Sequence, residues 1–385
     1  MPPPRVDLVY FNAGGGHRAS ALALQRAIAD AGLGWEVRLI NLTEVLDPNG
    51  TLRRLAFSPE DYYNARLAHG LTLGLRSELR VLQALIRLLH PTLVKTLHAH
   101  WTRTRPDMVV SLIPNFNRAL AESVADACPG TPYVTVLTDI ADHPPHFWIE
   151  EGQVQDFICG SDRAVRQAQD AGHAPERIHA TSGMIIRPDF YDDTPPGDRA
   201  GARAALGLDP DAATGVVMFG GHGSRSMLGI AERLPKVQLI LMCGHNTRLA
   251  RRLGALASAN RAAPRVVMGF TPDVAAVMRL ADFFIGKPGP GSLSEALHLG
   301  LPVVVTRNAW TMPQERYNTQ WLREQGFGLV LPSFRGIAPA VDALLADLPA
   351  YRRRVEGHAN RAVFEVPHLL RTILERPRAG ARLVA

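Results

Sequence analysis

Short apolar or β-branched runs alternate with helical patterns along the whole chain, and this rhythm constrains the fold more than any other feature of the sequence. In the first half the runs are 6–11, 36–42, 108–112, 133–137 and 157–159; in the second they are 216–219, 238–243, 266–269, 283–286 and 303–306. Strands spaced by helical segments read as parallel, doubly wound α/β architecture, because parallel neighbours need a crossover and the crossover is usually a helix. At 385 residues the chain exceeds what one core organises, so the two sets of runs imply two domains. The expected division is an N-terminal domain over 1–190, a linker over 191–212, a second domain over 213–355 and a helical extension over 356–385. The linker expectation rests on Pro188, Pro195, Pro196 and Pro210 mixed with Asp192, Asp193 and Gly197. The stretch from Pro339 to Glu375 has a helical pattern and is expected to pack back across the hinge.

The three cysteines, Cys128, Cys159 and Cys243, have no C-x-x-C spacing, so neither a disulfide framework nor a zinc site is indicated and a reducing cytoplasm is the default. No run of about 18 apolar residues occurs and the N-terminus lacks the apolar segment of a secretory signal, so the chain is expected neither to span a membrane nor to be exported. The net charge of +6 is uneven. From Arg66 to Arg105, the basic residues Arg66, Arg76, Arg80, Arg87, Lys95, Arg103 and Arg105 face only Glu78. Leucines at 71, 73, 75, 79, 82, 85, 88 and 89 are interleaved with them. A basic-apolar mixture of this kind suits an anionic membrane surface, with Arg76, Arg80 and Arg87 facing the lipid; the plainer reading is a solvated face on a core helix. Nucleic acid ranks lower, because few aromatics interleave and no recognition motif is present.

Three loops carry the chemistry. The first strand runs into Asn12-Ala13-Gly14-Gly15-Gly16-His17-Arg18-Ala19-Ser20, ahead of a helix read as 21–31. Gly14, Gly15 and Gly16 leave backbone N–H groups bare at the positive end of a helix, and His17 sits beside them. This is not the dinucleotide fingerprint and no acidic residue ends the second strand, so a nicotinamide cofactor is disfavoured. A matching turn, Phe219-Gly220-Gly221-His222-Gly223-Ser224, follows a strand of the second half, and suits a diphosphate. The third loop, Gly286-Lys287-Pro288-Gly289-Pro290-Gly291-Ser292, leads to Glu295, within reach of ribose hydroxyls. Its plainer reading has Ser292 as the N-cap and Glu295 completing a capping box. Asp139, Asp142, His143 and His146 resemble metal-ligand spacing, but Pro144 and Pro145 interrupt it, so no metal is expected.

Taken with Pro313-Gln314-Glu315-Arg316-Tyr317-Asn318 and Thr138-Asp139, these loops resemble, in order and across both halves, the monogalactosyldiacylglycerol synthase branch of glycosyltransferase family 28. The resemblance implies a GT-B fold: two facing Rossmann-like domains, acceptor on the first and nucleotide sugar on the second, with a C-terminal helical segment returning across the hinge. It places Gly220, Gly221, Gly223 and Ser224 near the diphosphate and Phe270 and Thr271 beside the uracil. It further implies that Gly289, Pro290, Gly291 and Ser292 hold the α-phosphate, that Glu295 takes the ribose, and that Gln314 and Glu315, supported by Asn318, take the sugar. Galactolipid synthases often carry Asp where this chain has Asn12.

The reaction implied is inverting transfer of a hexose from a UDP-sugar to a lipid such as diacylglycerol, at the inner face of the cell membrane. His17 is the expected general base, Asp139 its orienter, and no cofactor is required. Rival readings are transfer of GlcNAc from UDP-GlcNAc to a polyprenyl- or lipopolysaccharide-type acceptor, a nucleotide-sugar epimerase, and an inactive sugar-nucleotide-binding module. For His222, His143 and His146 the reading is structural.

Overall fold

A computed structural model describes residues 2–12, 16–47, 75–192, 198–259 and 263–377, with the backbone alone at 75–77 and 258–259. The chain divides into two compact units: one holds the described residues up to Pro188 together with those from Asn360 onward, the other holds Asp189–Ala359.

The first unit is built on a six-stranded parallel sheet of β1 (Arg5–Tyr10), β2 (Glu36–Asn41), β3 (Met108–Ser111), β4 (Tyr133–Val136), β5 (Asp156–Cys159) and β6 (Ile178–Ala180). Its order, β2-β1-β3-β4-β5-β6, reverses direction between β1 and β3. The second unit contains β7 (Thr214–Met218), β8 (Gln238–Met242), β9 (Arg265–Met268), β10 (Phe283–Gly286), β11 (Val303–Thr306) and β12 (Gly328–Leu331), all parallel, in the order β12-β11-β10-β7-β8-β9. Here the reversal falls between β7 and β10. The central strands are buried on both faces, as at Met108–Ser111 and Gln238–Met242, which is why they read as unbroken apolar runs rather than alternating ones.

Ten strands were expected from sequence and twelve are present among the described residues. The two extra ones are sheet edges. β6 has only three residues, Ile-His-Ala, too few to mark a strand, while β12, Gly-Leu-Val-Leu, carries a short apolar run that was not read as one.

The C-terminal helix Ala362–Leu374 belongs to the first unit and packs on the helix Gly16–Asp30. Glu365 accepts from the Ser182 N–H at 2.8 Å, the Ser182 hydroxyl accepts from the Arg361 N–H at 2.7 Å, and the Asn360 amide donates to the Met184 carbonyl at 3.0 Å. Within the stretch read as linker, the structure has a helix, Arg199–Ala205, bound into the second unit. Its Arg199 and Arg203 reach the buried carboxylate of Asp282, at 2.9 and 2.6 Å, beside Arg352 and the Thr214 N–H at 2.8 Å. Burial raises the Asp282 pKa, but the Thr214 N–H and the arginines outweigh it and hold the carboxyl below its ordinary range. Proline content signalled a break in structure, and the arginines that hold the helix in place gave no local signal.

Removing one partner of a buried charge cluster leaves the others uncompensated. Asp282→Ala is expected to lower stability by about 3–5 kcal/mol, read as a fall in the urea midpoint at unchanged slope. A change within 0.5 kcal/mol would show that the arginines are solvated without their partner.

Candidate functional sites at the two switch points

In a parallel α/β sheet the carboxyl ends of the strands diverge where the order reverses, and that opening is where ligands bind. In the first unit it lies at the ends of β1 and β3. Ala13, Gly14 and Gly15 lie outside the described residues, and the helix that follows starts at Gly16, five residues earlier than the sequence reading placed it. His17 is therefore in the first turn of the helix rather than in the loop before it. The polar run Gly16–Ser20 hid the start, because the apolar face that marks the helix begins with Ala21 and Leu24.

The Nδ1 of His17 lies 3.0 Å from the Thr138 hydroxyl at the end of β4, and the ring also hydrogen-bonds the Leu112 backbone just past β3. Burial lowers its pKa to about 4, the Leu112 bond opposing. The imidazole is neutral at physiological pH and holds one lone pair able to take a proton. Asp139, read from sequence as its orienter, is buried and accepts from the Trp148 indole N–H at 2.8 Å. The ring-to-hydroxyl contact belongs instead to its neighbour Thr138. Trp148 completes the group, its ring centroid 5.9 Å from that of His17. Neither Trp148 nor the Thr138 hydroxyl was assigned a role from sequence, since a lone tryptophan after a proline pair reads as core.

The apparent metal spacing at 139–146 resolves differently. The Asp142 carboxylate accepts N–H bonds from His146, Phe147 and Trp148 at 3.0, 3.0 and 2.7 Å, and so folds its own loop. Burial raises its pKa to about 6 against those bonds. Among the described residues no cluster of three or more His, Cys, Asp or Glu is arranged to hold a metal ion.

In the second unit the opening lies at the ends of β7 and β10. The turn from Phe219 has Gly220 and Gly223 at φ +73° and +58°, a backbone only glycine adopts without strain. A Cβ on Gly244 would fall 2.1 Å from the Gly221 carbonyl oxygen, so the β7 and β8 loops touch through backbone. Gly221 is exposed and has nothing within 4 Å of its missing Cβ, and the Ser224 hydroxyl accepts from the Ser226 N–H at 3.2 Å. Phe270 is 63% exposed and stacks on His245, centroids 4.2 Å apart and planes 15° apart. The Thr271 hydroxyl beside it accepts from the Asp273 N–H at 3.1 Å.

After β10 the helix is Pro290–His298 with Gly289 at its N-cap. Ser292 is thus inside the first turn, its hydroxyl donating to the Gly289 carbonyl at 3.2 Å, and Glu295 is three residues too far along for a capping box. The capping explanation of Glu295 is thereby removed. Gly291 and Ser292 share a helix face with it through i,i+4 and i,i+3 spacing. Gln314 is half-buried, its amide 3.8 Å from the Met312 sulfur. Glu315 is buried and paired with Lys287 at 3.0 Å. The amide of fully buried Asn318 donates to the Pro288 carbonyl at 2.8 Å, while its Oδ1 has no partner. The 286–289 loop and the 313–318 segment are therefore one construction. Lys287 was missed as a site residue, although a cation beside a glycine-rich loop was there to be read.

Residues 216–335 match the glycosyltransferase family 28 C-terminal domain. The chain carries that domain. It is 28% identical to monogalactosyldiacylglycerol synthase of Spinacia oleracea, over 95% of this chain and 72% of the relative. It is 27% identical to the processive diacylglycerol beta-glucosyltransferase of Bacillus subtilis, over 63% of this chain and 62% of that relative. Among solved structures, Acinetobacter baumannii MurG matches with a TM-score of 0.62 at 13% identity, over 96% of this chain and all of that one. A UDP-GlcNAc 2-epimerase from Neisseria meningitidis matches with a TM-score of 0.57 at 12% identity, over 96% of this chain and 99% of that one. At such identities the structures establish the GT-B fold and do not separate the reactions; the sequence relatives do, and the chain is a glycosyltransferase.

Because the folded-state pKa of His17 lies near 4 and the unfolded value near 6.5, the unfolded chain binds the proton more readily between those values. Stability is then full above pH 6.5 and falls as pH drops toward 4. His17→Ala should flatten that fall, read as unfolding midpoints from pH 7 to 4. An unaltered slope would mean that the ring is solvated.

Proposed function

We propose that the chain transfers a hexose from a UDP-sugar to a lipid hydroxyl such as that of diacylglycerol, with inversion at the anomeric carbon. The observation that carries the reading is His17, neutral and held by Thr138 and Leu112 at the switch point of the first sheet. An uncharged imidazole there suits removal of the acceptor proton as the glycosidic bond forms, an effect of roughly 10²–10⁴-fold. In the second unit, the glycine-rich turn 220–224, with Gly221 exposed, and the start of the helix Pro290–His298 suit the diphosphate, whose charge grows as UDP leaves. Glu295 suits the ribose hydroxyls, Phe270 and Thr271 the base, and Gln314 and Glu315 the sugar, with Lys287 paired to the Glu315 carboxylate. Both sequence relatives bear names of enzymes that make glycolipids, which favours diacylglycerol over a polyprenyl acceptor.

The acceptor's home suggests the rest. Helix Leu75–Thr104 exposes Val81, Leu82, Leu85, Leu88 and Leu89, the last 44% and Leu88 77%, beside exposed Arg80 and Arg87. Arg76 lies on the same helix; Arg66, Leu71 and Leu73 lie outside the described residues. No described helix is long and apolar enough to cross a membrane. We read this face as a peripheral contact with an anionic bilayer, on the inner leaflet.

The test is incubation with radiolabelled UDP-galactose, UDP-glucose and UDP-GlcNAc and vesicles containing diacylglycerol, followed by lipid extraction. Label should enter a β-glycolipid from one UDP-hexose; label released only as free sugar would favour an epimerase. His17→Ala should lower kcat by about 10²-fold with UDP binding kept, whereas Glu295→Ala should chiefly raise KM, since ribose contacts serve ground and transition states alike. Replacing Arg76, Arg80 and Arg87 by Gln should weaken sedimentation with anionic vesicles, each charge being worth roughly 1 kcal/mol, and leave UDP affinity unchanged. Undiminished sedimentation would make this helix face an ordinary solvated one.

A further inference from the structure

The loop between β4 and β5 is organised by one buried carboxylate. Asp142 is 4% exposed. Its Oδ1 accepts from the Phe147 and Trp148 N–H groups and its Oδ2 from that of His146. Its backbone is clamped by Gln167, whose side chain accepts from the Asp142 N–H at 2.9 Å and donates to the Asp142 carbonyl at 2.8 Å. A carboxylate satisfied by three N–H donors fixes the path of the residues that supply them. The last of them is Trp148, fully buried, with its carbonyl held by the Asn117 amide at 3.0 Å. With its backbone pinned at both N–H and carbonyl, the indole has little freedom: its N–H reaches Asp139 and its ring lies against His17.

We infer that Asp142 is a positioning residue for the transfer reaction, acting through Trp148 to fix the Asp139 carboxylate and the His17 ring. The geometry for this is a chain of contacts within the first unit: Asp142 to the Trp148 backbone, the Trp148 indole to Asp139 and His17, and Thr138 to His17. Asp142 itself sets the loop and makes no step of the reaction. A purely structural carboxylate would serve as well if the loop carried any apolar residue at 148. What marks this one is that the residue it pins donates its only polar atom to the acidic group next to Thr138.

The inference rests on the proposed function for its kinetic arm, and one arm of its test does not. In Asp142→Asn an N–H₂ group meets backbone N–H donors, so at least one of the three bonds is lost. Trp148→Phe keeps a ring against His17 and deletes only the bond to Asp139. With ¹⁵N-labelled histidine, and His17→Ala to assign the signal, the His17 ring should titrate well below 6.5 in the parent and at least one pH unit higher in both variants, in Asp142→Asn because the loosened loop admits water and in Trp148→Phe because the Asp139 carboxylate, no longer held by the indole, can turn toward the ring. In the same proteins kcat should fall about tenfold, as for a modestly misplaced reacting group, while calorimetric UDP affinity stays within twofold. An unshifted His17 titration in both variants overturns the inference, whatever the activity. So does a kcat that falls only in proportion to the unfolded fraction seen by thermal melting. A parent that titrates as expected yet transfers no sugar would defeat the proposed reaction and leave the positioning chain standing.

Discussion

A parallel strand cannot be followed directly by its neighbour; the chain must cross over, and it does so with one hand. Every strand of each sheet here therefore ends on the same edge, and at one place per sheet two consecutive crossovers leave in opposite directions. The position of His17, Thr138 and Asp139 at one such edge, and of Gly220–Ser224 and Lys287–Ser292 at the other, follows from this topology. The side chains supply chemistry, but the opening they line is a consequence of strand order. Even the glycines obey it: a Cβ on Gly286, the last residue of β10, would fall 2.4 Å from the Met218 carbonyl oxygen at the end of β7, because the two strand ends are still in contact where their loops begin to part.

The two sites deal with charge in different ways. In the first unit the proposed base is kept neutral: burial takes His17 to about 4. A base of that kind is ready at physiological pH, at the cost of weaker intrinsic basicity. In the second unit the buried acidic group is paired with a cation. Glu315 would be costly to bury alone, and Lys287, 38% exposed at its side chain, offsets that from the adjoining loop. The pairing also couples loop to helix, since the segment that follows Glu315 returns through Asn318 to Pro288.

Legibility in the sequence followed the range of the interaction. Central strands were readable to within two residues because burial on both faces leaves an apolar run; of the four edge strands β2 and β9 were read, and β6 and β12 were not. The glycine loops marked the candidate sites because close backbone approach and positive φ, as at Gly220 and Gly223, favour that residue type. Helix starts were misplaced in a consistent direction: Gly16 and Pro290 both begin helices earlier than the apolar pattern suggests, since the first turn of each is short of apolar residues. Partnerships across the chain were illegible. Nothing local ties Lys287 to Glu315 or Thr138 to His17, pairs made by packing elements that sequence order keeps apart, and the Trp148–Asp139 bond depends on how one loop folds back on itself.

Such pairs also explain why a residue with metal-like spacing turned out otherwise. Asp142, His143 and His146 lie close in sequence, and proximity alone suggests shared ligation. A buried carboxylate, however, takes the nearest good donors, and in this tight loop those are the backbone N–H groups four to six residues ahead. Once His146, Phe147 and Trp148 had supplied them, the carboxylate was committed to shaping the loop. The consequence reaches the candidate reaction centre, because the same bonds that occupy Asp142 determine where the indole of Trp148 stands.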